Sequence, residues 1–296
     1  MWRVTSDEQN RPGRGAHSCH SSLITHHSFA FTLIELLVVI TILGILAGLA
    51  VPALKNLGKS NLNLSASRQL LDDVAHARQL AVSQRTTVYM VFVPTNFWVV
   101  NGSSSGPWLN SLTPAQKTAV TNLLDKQLTG YTFISYGALG DQPGQHLWHY
   151  LAPWQNLPSG AFIAQQKFTL SGGSYSYAVT NFVTGAAYTI NGFSTTNNIP
   201  FPTADPNMVA DTGQRISPWL PYVAFNYLGQ LVSGHDEYIP LAQGSLSYAI
   251  NGNKALQLAS AAVSETPPGN STNSAFNLVH IDALTGRAVL EYQKAQ

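Results

Sequence analysis

Residues 30–54 read Ala-Phe-Thr-Leu-Ile-Glu-Leu-Leu-Val-Val-Ile-Thr-Ile-Leu-Gly-Ile-Leu-Ala-Gly-Leu-Ala-Val-Pro-Ala-Leu, an apolar run that holds one acid, Glu35. At 1.5 Å of rise per residue, about 20 such residues reach across the roughly 30 Å of a bilayer core. An ionised side chain in that setting costs roughly 2.5–3.5 kcal/mol, so Glu35 calls for a partner that neutralises it. A cleavable secretory signal has a shorter apolar core, closed by a small-residue cleavage site. Here the run is longer, and Gly44, Ala47, Gly48 and Ala50 are spread along it. A plain transmembrane anchor fits the length but leaves Glu35 unexplained, and a buried core helix is not expected to be this long.

Composition narrows the class. Of the 296 residues 45% are hydrophobic and 10% charged, which fits a globular chain with a membrane segment and not a disordered one. The formal net charge is +1, and no basic block gives a footprint for nucleic acid. The one cysteine, Cys19, precedes the apolar run, so the chain after it has neither a disulfide framework nor a thiolate metal site. The remainder is rich in Ser, Thr, Asn, Gly and aromatics, as suits an exported β-rich domain.

The Phe-Thr-Leu-Ile-Glu run at 31–35 resembles the type IV prepilin signature, in which a leader is cut just before the phenylalanine. The resemblance implies cleavage between Ala30 and Phe31, N-methylation of Phe31 with its positive charge retained, and a long membrane helix beginning there. It also implies that Glu35, one turn along, pairs with the N-terminal ammonium of a neighbouring subunit. Pro52 falls where such pilins carry a helix-kinking proline. Proline removes a backbone donor and clashes with the preceding turn, so a bend or local melting is expected. Gly44 and Gly48 would let neighbouring helices approach. Two departures stand out: residue 30 is alanine where the family usually has glycine, and the nearest basic residue of the leader is Arg14, with His26 and His27 closer to the cut. A start at a non-AUG codon near Leu23 would account for the long leader.

Past the run, Ala66, Leu70, Val74, Ala77 and Ala81 recur at three- and four-residue spacing with Arg68, Asp72, Asp73, Arg78 and Gln79 on other faces. That predicts an amphipathic helix to about Gln84, continuing the first. Thr86–Val93 is β-branched and aromatic, a buried strand, and Phe97–Val100 is expected to pair with it. This order of elements resembles H-type pseudopilins and FimT-like minor pilins. Tyr222–Val232 looks like the Phe-x-x-x-Gly hairpin of that group, and Leu278–Tyr292 repeats the form with Thr285-Gly286 at the turn. The length and the Trp-x-x-Leu-Pro-x-Gly segment at 154–160 are similar to protein D of the verrucomicrobial Verru-Chthon cassette. Thr113 followed by Pro114 predicts a helix over Pro114–Gln127. Residues 141–160 read as an irregular aromatic loop, Ala161–Leu170, Tyr175–Thr180 and Ala187–Ile190 as strands, and Asn191–Gln214 and Ser264–Ser274 as loops.

Little in the chain suggests chemistry. His235-Asp236-Glu237 is the densest polar cluster, but neighbours on a strand face opposite ways and in a loop they are solvated. His146 and His149 lack a third ligand, and aromatic packing is the better reading. Asp72 and Asp73 read as a solvated helix face. No Gly-x-Ser-x-Gly elbow or Gly-rich phosphate loop occurs, and Gly172-Gly173 reads as a turn. The sequons at Asn63, Asn101 and Asn270 carry no weight here.

The expected fold is α+β, a long N-terminal helix packed on a β-rich, two-sheet head. The divisions are a leader at 1–30, a transmembrane and assembly helix at 31–54, its amphipathic continuation at 55–85, and a head at 86–296 in the periplasm or on the surface. The resemblance implies a non-enzymatic subunit of a type IV pilus or type II secretion pseudopilus, with a size that favours a minor or tip role. Its partners would be a prepilin peptidase and methyltransferase, other pilins, and membrane lipid before assembly. No catalytic residue, cofactor, metal, nucleic acid or small-molecule ligand is expected. The rivals are a membrane-anchored binding protein that never polymerises and a DNA-uptake pilin, which would need a basic face.

Overall fold

The computed structural model describes residues 32–95, 97–98, 113–137, 140–142, 148–169, 174–180, 185, 187–194, 220–271 and 277–291, and only the backbone at 49–63, 169, 174–180 and 187–189. The chain divides into two compact units, Met1–Pro52 and Ala53–Gln296. Helix α1 (Leu33–Gln84) contributes to both.

In the first unit, Thr32 starts the helix. Its hydroxyl accepts the Glu35 N–H at 3.3 Å and its carbonyl accepts the Leu36 N–H at 3.1 Å, which satisfies donors that open a helix. The backbone stays helical through Pro52, so the local melting expected there is not found. Among the described residues no helix is long and apolar enough to cross a membrane. The part of this unit's helix whose side chains are described ends at residue 48, short of the roughly 20 apolar residues that a span requires.

In the second unit the predicted stripe Ala66, Leu70, Val74, Ala77 and Ala81 is fully buried. It packs on two antiparallel sheets. In the first, β1 (Val88–Phe92) lies between β2 (Gly130–Tyr136) and β8 (Tyr222–Phe225), with Met90 opposite both Phe133 and Val223. Short strands β3 (Trp148–Tyr150) and β4 (Gln155–Asn156) extend β2. The second sheet runs β10 (Ala262–Glu265), β9 (Glu237–Ser247), β11 (Asn277–Ile281), β12 (Ala288–Glu291), with β5 (Ala161–Ile163) also on β9. A separate pair joins β6 (Ser174–Thr180) to β7 (Ala187–Asn191).

One core unites the helix stripe with Met90, Phe92, Phe133 and Phe225 of the first sheet and Ile163, Ile239, Leu241, Val279 and Ile281 of the second. Tyr89, Val91 and Ile134 form a second cluster with Val120, Leu123 and Leu124. β1 is therefore buried on both faces, which is why its sequence lacks polar alternation. Val120 comes from α2 (Pro114–Thr121), which begins with a reciprocal capping box between Thr113 and Gln116.

Several expectations change. Phe97 and Trp98 lie in a turn, and β1 pairs instead with β2 and β8; Val99 and Val100 lie outside the described residues. α2 stops at Thr121, followed by a 3-10 turn at Leu124–Lys126, so the predicted helix is shorter. Residues 141–160 include two short strands. β5 ends at Ile163 and a helical turn, α3 (Gln166–Thr169), replaces the rest of the expected strand. The hairpin at 222–232 has a reduced return arm, a single bridge from Leu231 to Phe225. The expected loop from Ser264 loses its first residues to β10.

The two hairpin turns pack against each other. Gly286 has φ +60°, and a Cβ there would fall 2.0 Å from the Gly229 carbonyl oxygen. Gly229 itself has φ +79° beside Arg78 and Val82, and Arg78 Nε donates to the Thr285 carbonyl at 2.7 Å. The glycine of the Phe-x-x-x-Gly segment thus answers to a positive φ and a close approach.

Candidate functional site

The stretch that opens α1 differs from everything else in the molecule. Leu33, Ile34, Leu36, Leu37, Val38, Val39, Ile40, Ile42, Leu43, Ile45 and Leu46 are all exposed, from 44% to 83%. Because the run includes 36–40 without interruption, no face of the helix is polar. A helix that is apolar all round is made for a protein core or for lipid. A Cβ built on Gly44 or Gly48 meets nothing within 4 Å. The Thr41 hydroxyl, the polar group within the run, donates to the Val38 carbonyl at 2.7 Å and so satisfies itself inside the helix.

Glu35 stands in the first turn, where the helix dipole favours an anion. With Thr32 it forms one half of a capping box: the threonine hydroxyl accepts the Glu35 N–H. The expected scissile pair, Ala30 and Phe31, lies outside the described residues, as do His146 and the turn expected at Gly172-Gly173. Pro52 is in the helix with only its backbone described.

The polar clusters singled out in the sequence are dispersed. His235 Nδ1 is 3.6 Å from Glu237 Oε1, while Asp236 turns to the His280 ring at 3.1 Å and accepts the Ala283 N–H at 2.8 Å. Glu237 is buried and bound to Lys167 Nζ at 2.6 Å. His235 and Glu237 thus lie together while Asp236 turns to His280, and among the described residues no group of three metal-ligating side chains converges. His149 pairs with Asp141 at 3.1 Å on β3. Asp72 is exposed as expected, but Asp73 is not merely solvated: it accepts a short hydrogen bond from the Tyr131 hydroxyl. Burial raises its pKa, with the hydroxyl contact acting in the opposite sense.

Sequence reasoning missed Lys167. Its ammonium is fully buried, donates to Glu237 and to the Asn191 carbonyl at 2.7 Å, and lies 4.7 Å from the centre of the Phe193 ring. Desolvation lowers its pKa and the Glu237 carboxylate opposes the shift. Partners 70 residues apart in sequence leave no local signal. The pair is closed on itself and reads as a structural lock.

The chemistry is thus concentrated in the apolar opening of α1, and the comparisons agree. Residues 26–51 match the prokaryotic N-terminal methylation motif. The chain carries a prepilin-type signal. That motif points to a pilin-like structural protein, processed by prepilin peptidase, assembled with other pilins, and membrane-anchored or pilus-associated. No curated protein and no solved structure matches the chain.

Proposed function

We propose that the protein is a minor pilin or pseudopilin of a type IV pilus or type II secretion system. Prepilin peptidase cuts between Ala30 and Phe31, and Phe31 is then methylated. Before assembly, residues 31–54 hold the subunit in the cytoplasmic membrane. After assembly they pack among the equivalent helices of other subunits. Residues 55–85 carry the helix onto the head, and 86–296 form a β-rich domain in the periplasm or on the cell surface. Glu35 meets the N-terminal ammonium of the neighbouring subunit, which neutralises an acid otherwise costly in lipid, while Pro52 sets the course of the helix.

The observation that carries this reading is the methylation motif at 26–51, whose part from Leu33 onward lies on a helix with apolar side chains exposed on all sides up to Leu46. Mass spectrometry of the protein purified from expressing cells tests it. A mature chain beginning at N-methylated Phe31 is expected; an intact leader or a different first residue overturns it. A Glu35→Ala variant is expected to be cleaved normally and to enter filaments poorly. Assembly of that variant at the parental level would contradict the charge pairing and leave the processing intact.

A further inference from the structure

The Lys167–Glu237 pair has a chemistry that the filament reading does not use. Lys167 Nζ stands 2.6 Å from Glu237 Oε2, with the two side chains 0% and 3% exposed. The contact joins α3 to the first residue of β9, 70 residues on in the chain. Two charges withdrawn from water carry a desolvation cost that their attraction need not return. Passing one proton from Nζ to the carboxylate leaves a neutral amine against a neutral acid and removes that cost. Desolvation lowers the Lys167 pKa and so favours the amine, with the Glu237 charge opposing it.

An amine and a carboxylic acid in contact are the reactants of an amide, and the surroundings fit that reaction. The Asn191 carbonyl accepts from Nζ at 2.7 Å and the Phe193 ring centre lies 4.7 Å away, so the nitrogen is held in place. His235 Nδ1 is 3.6 Å from the other carboxyl oxygen, Oε1, and its half-exposed ring reaches solvent protons. Glu237 also lines a cavity of about 340 Å³ with Ser194, Tyr222 and Ser233, which is room for a departing water. Reactants fixed in this way reach effective concentrations of about 10⁵–10⁸ M, far above that of the water that would reverse the reaction.

We propose that Lys167 and Glu237 condense into an intramolecular amide that staples α3 to β9. Nζ passes one proton to the carboxylate, and the neutral amine adds to Glu237 Cδ. One carboxyl oxygen leaves as water, taking its second proton from the His235 imidazolium. The nitrogen then gives up a proton, which restores the imidazolium, and keeps one N–H for the Asn191 carbonyl. One C–N bond forms, one C–O bond breaks and one water departs, with no oxidant or activating group required. The chain after Cys19 has no cysteine, so the amide braces a head that no disulfide can brace. Until it closes, the site holds the ion pair, and protein of full mass reports the energetics of two buried charges. The inference is independent of assembly, since a head that never entered a filament would hold the same pair.

The test is mass spectrometry of the full-length protein purified in detergent micelles, intact and after denaturation and tryptic digestion. The intact chain is expected to be one water lighter than its sequence requires. Trypsin should fail to cut after Lys167, and a branched peptide should join Lys167 to the segment that holds Glu237. The digest reads this site whichever residue begins the chain. Lys167→Arg keeps the charge but lacks the amine, and should regain the full mass; if that variant fails to fold, the parent's digest decides alone. In newly made protein followed over time, His235→Ala should lose its water at least about a hundredfold more slowly, and an unchanged rate would overturn the proton route. Complete cleavage after Lys167 at full mass overturns the proposal. So does a missing water that maps to any other peptide.

Discussion

The two described stretches of α1 obey opposite rules. From Leu33 to Leu46 apolar side chains occupy every face and are exposed, whereas between Ala66 and Ala81 the stripe Ala66, Leu70, Val74, Ala77 and Ala81 is wholly buried. A narrow stripe needs one surface to cover it, and the inner faces of the two sheets provide that surface within the chain. A helix apolar all round has no side to turn to water, so its cover must surround it. The periodicity of a helix therefore tells where its partner is. With periodicity, the partner belongs to the same fold; without it, lipid or a ring of other helices is required.

If the head is closed on itself in this sense, its internal partnerships should fail severely when one member is lost. Lys167→Met leaves Glu237 buried with only the half-exposed His235 beside it, and the head is expected to lose roughly 3–5 kcal/mol in denaturant unfolding of the detergent-solubilised protein. Replacing both, as Lys167→Met with Glu237→Leu, should recover most of that loss, because two apolar groups of similar volume avoid the desolvation cost. A single variant as stable as the parent would mean that Glu237 finds another partner.

The helix itself allows a direct contrast. Leu70→Ala removes a fully buried side chain and is expected to cost about 2–5 kcal/mol of head stability. Leu37→Ala, in the exposed apolar stretch, should leave the same unfolding transition within about 0.5 kcal/mol and affect only assembly. Equal effects on unfolding would erase the distinction between the two stretches.

What was legible in the sequence follows the same division. The stripe at 66–81, strand β1, the capped start of α2 and the turn at Thr285-Gly286 are local patterns, and each stands where its pattern placed it. β9 was missed, and Pro240 within it costs no ladder bond, since the carbonyl of Ala164 opposite accepts the Lys167 N–H instead. The pairing of β1 with β2 and β8 joins segments far apart in the chain, and the nearer run at 97–100 was the misleading local choice. Asp73 and Lys167 took their partners, Tyr131 and Glu237, from strands of this kind. Charge in the opening stretch of α1 was legible for the opposite reason: one carboxylate in an apolar run needs no fold to be conspicuous.

The smallest expected effect lies at the turn that clasps the far end of α1. The Asp282 carboxylate accepts the Thr285 N–H and the Thr285 hydroxyl, each at 2.7 Å, and these bonds hold its pKa below the ordinary 3.8. A carboxylate depressed in the folded state contributes stability above its unfolded value and loses it as the pH falls through the folded one. The turn, and with it the Arg78 contact to the Thr285 carbonyl, should therefore be firm at neutral pH and loosen only below that range. Asp282 lies half-buried at the surface turn, so the sensitive readout is local. The Thr285 amide resonance should titrate with a midpoint below 3.8, and Asp282→Asn should abolish that titration with little change in melting. A Thr285 resonance that stays flat through the acid range would show that the carboxylate does not hold the turn. The grip of the hairpin on α1 would then rest on the Gly229–Gly286 approach and the Arg78 bond alone.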